Sequence, residues 1–406
     1  MTSLRKQYKT AFMPESSAIL FTPGPVQVPF GAKQVLARSF GHHRTASFES
    51  TVESVLQNLK PVFQTAGRVF VQATTGSGAM ESAIINLLSP GEKVIVVDSG
   101  KFGERWAKMA DTLGFTVKTI KVPWGQALAP SLLEQELKSH PDCRAVLTQV
   151  CETSTATLHP IEELARICHK LTDCLFMVDA ITAVGAMNLP MDQWEIDVVV
   201  GASQKAFMLP TGLGFVALSE RAWQLCKNSQ SRRYYFDLLK EEEANQKGQT
   251  RFSSPVNLWC GLEWILERML KFGLTNLFEQ VSLYSKAVQL AAEPLGLKIY
   301  SQSPSPTVTA LSLPDSMTAA EGKLLLKKLA SHHHMTLAGG QDHLVGRILR
   351  VGHMGALTPN DHLRLVSAVG EELSVAGHDC DIPSALLAAR SCLAPLEGKH
   401  AFGCES

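Results

Sequence analysis

The sequence predicts an α/β protein: a large domain built on a mostly parallel, seven-stranded sheet covered by helices, followed by a smaller C-terminal α+β domain. Three observations carry this expectation. Between about residues 33 and 218, apolar runs of strand length alternate with amphipathic stretches of helical period. Such alternation feeds a largely parallel sheet with helices on both faces. At 406 residues, with 45% hydrophobic and 19% charged residues, the chain is long and apolar enough for one large and one smaller globular unit.

Seven runs read as the large sheet: Arg68-Val69-Phe70-Val71, Lys93-Val94-Ile95-Val96-Val97, Thr116-Val117-Lys118-Thr119-Ile120, Ala145-Val146-Leu147-Thr148, Leu175-Phe176-Met177-Val178, Val198-Val199-Val200 and Phe215-Val216-Ala217-Leu218. A polar stretch over 228–250, dense in Lys, Glu, Gln and Arg, is expected to run over the surface. Helical patterns at 256–272 and 277–295 lead into the second unit. There Thr307-Val308-Thr309-Ala310-Leu311 and Arg347-Ile348-Leu349-Arg350-Val351 read as strands, and 319–330 and 360–375 as helices. The division expected is an N-terminal segment over 1–30, a large domain over 31–275, a small domain over 276–376 and a tail over 377–406. That tail holds one more helical pattern, at 383–393, to which the sequence gives no role.

Lys+Arg and Asp+Glu are equal at 38 each, so the net charge recruits neither nucleic acid nor an anionic membrane. Nine cysteines, scattered without close pairs, suit reduced thiols better than a disulfide framework. The first eighteen residues lack the apolar core of a signal peptide, and no apolar run approaches the length of a membrane span. A cytoplasmic protein is expected.

The chemistry is expected where strands end, because ligands of open α/β sheets collect at the carboxyl ends of their strands. Ser203-Gln204-Lys205 follows one apolar strand and Asp179 ends another. A lysine there is costly to desolvate, and conversion to a neutral amine or a Schiff base removes much of that cost. Asp179, read alone, caps the next helix; beside Lys205 it reads as the anion for a ring nitrogen. An amine for an aldehyde and an anion for a pyridine is what pyridoxal 5'-phosphate requires. Thr74-Thr75-Gly76-Ser77-Gly78-Ala79 follows a strand and opens a helix, so its amides and the Ser77 hydroxyl suit a phosphate, although such turns are also ordinary punctuation. It is neither a P-loop nor a dinucleotide fingerprint.

Thr153 follows another strand and could meet a phenolic oxygen. Phe102 could stack on a ring or fill the core. Strand alternation puts Ile348 and Arg350 on one face, where an arginine suits a substrate carboxylate or a salt bridge. Gly212-Leu213-Gly214 reads as a turn that lets backbone approach a cofactor. His42-His43 and His332-His333-His334 lack carboxylate or cysteine at ligand spacing and read as solvated loop residues, not a metal site.

Gly76-Ser77-Gly78-Ala79-Met80-Glu81, Glu152-Thr153-Ser154-Thr155, Val178-Asp179, Ser203-Gln204-Lys205 and Arg350-Val351-Gly352-His353-Met354-Gly355 stand in the order and spacing of the class V (fold type I) pyridoxal phosphate enzymes. The chain resembles the alanine–glyoxylate and serine–glyoxylate (serine–pyruvate) aminotransferase branch over roughly residues 18 to 375, with Thr22-Pro23-Gly24-Pro25-Val26 as that branch's opening segment. The resemblance implies a homodimer with active sites at the interface and an N-terminal segment that reaches the site or the partner. It implies that Ser77, Gly78 and Ala79 bind the phosphate, that Phe102 stacks on the ring and that Thr153 meets the phenolic oxygen. Asp179 then meets the ring nitrogen, Gln204 adds a polar contact and Lys205 bonds the cofactor covalently. Arg350, with Gly24, holds the substrate, while Thr250 and Ser253 resemble the segment that reaches the neighbour's phosphate. His42-His43-Arg44 matches a stretch that lines the entrance.

Two departures stand out: Phe102 replaces a common Trp, and Ala156 a common Gly. Cyanobacterial and archaeal proteins labelled as a small subunit of a soluble hydrogenase share the pattern, including a segment like Gly339-Gly340-Gln341-Asp342-His343, but no cluster-type cysteine ligation is visible here. The expected reaction moves an amino group from a small amino acid, alanine or serine, to a small 2-oxo acid, glyoxylate or pyruvate. A lyase or a 2-aminoethylphosphonate-type transaminase of the same fold, and a catalytically silent scaffold subunit, are the alternatives. Absence of cysteine between Cys260 and Cys380 counts against a desulfurase.

Overall fold

The computed structural model describes residues 18–399 and 402. The signal-peptide reading therefore falls almost wholly outside the described residues, as does Cys404. Among the described residues the fourteen strands, in chain order, are β1 Ile19–Phe21, β2 Arg68–Ala73, β3 Lys93–Asp98, β4 Thr116–Lys121, β5 Cys143–Gln149, β6 Cys151–Glu152, β7 Thr157–Leu158, β8 Leu175–Asp179, β9 Val198–Ala202, β10 Leu213–Leu218, β11 Lys298–Ile299, β12 Val308–Ser312, β13 Met335–Gly339 and β14 Ile348–Gly352.

Seven of them form the large sheet in the order β2-β10-β9-β8-β5-β3-β4. All pairings are parallel except those of β10, which runs against both β2 and β9. The seven strands expected from the sequence are the seven observed. β5, β8, β9 and β10 are buried over nearly their whole lengths, which is why they read as unbroken apolar runs. One face packs on the helices Ala46–Phe63 and Val256–Phe272, the other on Gly76–Leu87 and Lys101–Thr112. Register brings Gln149, Asp179 and Val200 level across β5, β8 and β9. Asp179 and the turn carrying Lys205 therefore leave the sheet at one edge.

The second sheet has the order β1-β13-β14-β12-β11. Its central strands come from the C-terminal part of the chain, but its edge is β1, which pairs in parallel with β13 through Ile19↔Met335 and Phe21↔Leu337. Strand alternation decides what β14 does. Leu349 and Val351 enter the small unit's own core, whereas Ile348 joins Ala156, Val308, Ala310 and Leu344 in a cluster between the two sheets. Arg350, on the Ile348 face, points at the large sheet.

Three local expectations change. The 228–250 stretch does not simply run over the surface: Leu238 is fully buried, Glu241 is 7% exposed, and helix Leu238–Asn245 is capped by Asp237. Gly214 belongs to β10 rather than to a turn, and its missing Cβ makes room for Thr74 and Ala79, not for a cofactor. His332 and His333 end the helix Ala319–His333 and share the Glu372 carboxylate at 2.8 and 3.2 Å, so they are paired, not solvated loop residues. Beyond Gly377, the helix Ile382–Leu393 buries Ala385, Ala389 and Leu393 against the small unit's core.

Candidate active site

Lys205 lies just past the end of β9, 8% exposed, and its Nζ donates to the Pro23 carbonyl at 2.8 Å. Gly24 follows with φ +138°, and a Cβ there would collide with the Cδ, Cε and Nζ of Lys205. The strand β1 thus delivers a glycine backbone onto the amine. Burial pulls the Lys205 amine down to about 8; Arg350 and Arg105 push the same way, and the Asp179 charge opposes them.

Asp179, 6% exposed at the end of β8, accepts from the Ile181 amide at 2.9 Å. Burial raises its carboxyl to about 6, with the amide bond and the positive charges of Lys205 and Arg105 working against that rise. Amine and carboxyl are displaced toward each other's range, the pattern that burial of two opposed titratable groups in one functional pocket produces.

Arg350 crosses between the sheets. Its Nε donates to the Gly339 carbonyl and its Nη1 to the Thr153 carbonyl, both at 2.8 Å. Carbonyls orient a guanidinium without cancelling its charge, which suits an arginine that awaits a carboxylate. Thr153 also hydrogen-bonds Thr182 through the hydroxyls at 3.0 Å, which ties the turn after β6 to the loop after Asp179.

Glu152, fully buried, organises the next layer. It accepts from the amides of Phe102 and Gly103 at 3.2 and 3.1 Å, and from the Ser154 amide and hydroxyl at 3.1 and 2.5 Å. These bonds oppose the burial that raises its carboxyl. Gly100 must lack a side chain because Ser154 and Glu152 fill that space. Phe102 is thereby fixed by its backbone, and its ring lies beneath the guanidinium of Arg105.

Thr75 caps the helix Gly76–Leu87, and the Gly76 position abuts Ile181 and Ala202 at the ends of β8 and β9. First-turn amides of a helix have no partner within it. Ser77 and Gly78 lie in that turn. Ala79 follows it, fully buried, with its amide donating to the Thr75 carbonyl at 3.0 Å, and the Gly78 amide donates to the Thr75 hydroxyl at 3.4 Å. Gln204 carries a buried Oε1 with no hydrogen-bond partner among the described residues.

Thr250 is buried, with Ser254 donating to its hydroxyl at 2.7 Å and Arg44 to its carbonyl at 2.7 Å. Ser253 is exposed beside it, and both line a small cleft with Gln72, Ala73 and Tyr235 next to the strand that feeds the Ser77 loop. Among the described residues, no group of three or more His, Cys, Asp or Glu could hold a metal. Sequence reasoning overlooked Arg105, Pro23 and the structural part of Glu152. The first was legible, since Phe102 and Arg105 are one helical turn apart on one face.

A cradled amine, a buried carboxyl whose charge acts on it, an arginine in no ion pair among the described residues and an orphaned amide oxygen fit pyridoxal phosphate and a carboxylate substrate. The fold and this site define a fold type I pyridoxal phosphate enzyme. The class V aminotransferase family model matches residues 32–332, and the chain belongs to that family. It is similar to the soluble hydrogenase 42 kDa subunit of Anabaena cylindrica, 37% identical over 369 residues, covering 90% of this chain and 95% of that one. The serine–glyoxylate aminotransferase of Methylorubrum extorquens is 30% identical over 370 residues, covering 88% and 90%. Among solved structures, the aspartate aminotransferase of Thermus thermophilus superposes with a TM-score of 0.82 at 30% identity, covering 88% of this chain and 99% of that one. The protein is a pyridoxal phosphate-dependent transaminase.

Proposed function

We propose that this chain moves the amino group of alanine or serine to glyoxylate or pyruvate in two half-reactions, on a single pocket. The observation that carries the reading is Arg350, oriented by two carbonyls toward the pocket that holds Lys205. One fixed guanidinium suits the α-carboxylate that all four compounds share. The serine–glyoxylate name of one relative supports the small donor and the acceptor.

Bound here, pyridoxal phosphate supplies the aldehyde that takes the amino group and the ring that accepts the electron pair released at Cα. Lys205 would bond the cofactor, and its amine, once freed, would take the Cα proton and deliver it to the cofactor's C4′ carbon. An amine lowered to about 8 can do both near neutral pH. Asp179 accepts from the protonated ring nitrogen, Thr153 from or to the phenolic oxygen, and Gln204 supplies a further polar contact. Ser77 and Gly78 hold the phosphate, Phe102 stacks on the ring, and Gly24 leaves room beside Lys205 for substrate.

We further infer a cytoplasmic homodimer whose partner completes each site through Thr250 and Ser253. Exposed Tyr234 and Tyr235, both packed against the half-buried ring of Phe252 beside Ser253, support a partner surface there. All eight described cysteines are free, which suits a reducing compartment. His42-His43-Arg44, held on Gln249 and Thr250 by Arg44, lines the entrance.

The test is a half-reaction screen with alanine, serine, aspartate and 2-aminoethylphosphonate, following cofactor absorbance and identifying the products. Alanine or serine should give its keto acid, and glyoxylate or pyruvate should restore the starting spectrum. Ammonia released from serine without an acceptor would mean a lyase. A purified protein that holds no cofactor and changes nothing would mean a scaffold.

A further inference from the structure

Arg105 is the unassigned cation of the site. It is an exposed residue in the second turn of the helix Lys101–Thr112, yet its head is not free to wander. Its guanidinium carbon lies 4.9 Å from the centroid of the Phe102 ring, and its Nη1 donates to the Ser77 hydroxyl at 3.3 Å. Two separate contacts therefore aim one permanent charge at the start of the helix Gly76–Leu87.

The chemistry of a phosphate ester gives that placement a purpose. Near neutral pH it carries close to two negative charges. A helix N-terminus offers only about half a positive charge, and Thr74-Thr75-Gly76-Ser77-Gly78 contains no basic residue. The Ser77 hydroxyl, by accepting from Arg105, keeps its own hydrogen for a phosphate oxygen. The field of Arg105 also reaches Asp179 and Lys205, which places it on the cofactor's side of the pocket.

We propose that Arg105 is a cofactor-anchoring residue: with Ser77 it binds the phosphate of pyridoxal phosphate, and the ring of Phe102 holds its guanidinium in place. The inference rests on the reading that the phosphate lies at Ser77. It goes beyond that reading by assigning the compensating charge to a side chain on a different helix. Phe102 then acts on both ends of the cofactor, since one aromatic ring serves the pyridine and the arginine.

The experiment compares two ligands that differ only in the phosphate. The full-length protein, freed of cofactor by dialysis with an amino donor, is titrated with pyridoxal phosphate and with pyridoxal, as wild type, Arg105→Gln, Arg105→Lys and Ser77→Ala. Arg105→Gln should weaken pyridoxal phosphate about tenfold to a hundredfold, the worth of a charge-assisted hydrogen bond, and leave pyridoxal unchanged. Arg105→Lys should fall between. Equal weakening of both ligands would reduce Arg105 to a support for the Phe102 ring and overturn the proposal. So would an unchanged Arg105→Gln alongside a weakened Ser77→Ala. If Ser77→Ala also binds pyridoxal phosphate normally, the phosphate is elsewhere and the underlying reading fails with it.

Discussion

Lys205 donates its ammonium hydrogen to the carbonyl of Pro23 at 2.8 Å, and the next residue, Gly24, packs its bare Cα against the same side chain. The amine is thus positioned by a segment nearly two hundred residues away in sequence. A carbonyl favours the charged amine, yet burial prevails and the group titrates near 8. This contest sets the first prediction.

Without cofactor, Lys205→Met should be more stable than wild type at pH 7, by up to about 3 kcal/mol. The folded-state value of about 8 lies below the ordinary 10.5. Between these values the unfolded chain binds the proton more readily, so wild-type stability climbs with pH there. Below pH 8 the full cost of a buried ammonium is present. Chemical denaturation should show the variant's advantage shrinking as pH rises toward 10, while transamination is lost.

Asp179→Asn should behave alike through the opposite charge. With a folded value of about 6 against 3.8, wild-type stability without cofactor falls as pH rises from 4 to 6, and the cost persists above. Asparagine keeps an acceptor for the Ile181 amide but carries no charge. Melting curves of the cofactor-free protein at pH 7 should shift upward, and affinity for pyridoxal phosphate should drop. In wild type that affinity should weaken as pH falls below about 6.

Gly24→Ala should impair both stability and cofactor attachment. Its φ of +138° disfavours any side chain, at about 1–3 kcal/mol, and the new methyl must displace Lys205. Borohydride trapping followed by mass spectrometry should find less covalently held cofactor than in wild type. Normal trapping would show that this approach is not what positions the amine.

Arg350→Gln should raise KM for amino and keto acids alike, by about a hundredfold for a buried charged hydrogen-bond pair. The change in kcat should be smaller. Because the guanidinium also joins the Gly339 and Thr153 carbonyls, the variant should lose about 1–3 kcal/mol of stability as well. Steady-state kinetics with alanine and with glyoxylate, beside a denaturation curve, tests both.

Glu152→Gln should destabilise the site, because five donors, the Gln149 side-chain amide among them, converge on a carboxylate and the amide of glutamine can satisfy only one of its two sides. Circular dichroism in the cofactor band should weaken in this variant, whereas a remote destabilising change should leave it alone.

Much of this arrangement can be read from local pattern. Lys205 and Asp179 are visible because β8 and β9 are buried on both faces, so a charged residue at their ends breaks an otherwise apolar run. Arg350 is visible through alternation with Leu349 and Val351. The Pro23–Lys205 contact is not, since β1 is three residues long and its partner β13 lies more than three hundred residues on; a short edge strand carries no local sign of where it pairs. Burial of Glu241 escapes a reading by charge density, because a single inward carboxyl in a polar helix looks like its solvated neighbours. The bonding of the amides at 78 and 79 is hidden for a different reason: a motif names residues, but helix geometry and the Thr75 cap decide which partners those amides have.

The pairing of β1 with β13 also orders events on the ribosome. A chain made from its amino end can collapse the seven-stranded sheet while the small sheet is still inside the exit tunnel, but Ile19–Phe21 must wait, unpaired, until Met335–Gly339 emerges. Only then can Pro23 and Gly24 close over the lysine. The Pro23 carbonyl that steadies the amine thus takes up its place only in translation products that reach almost full length.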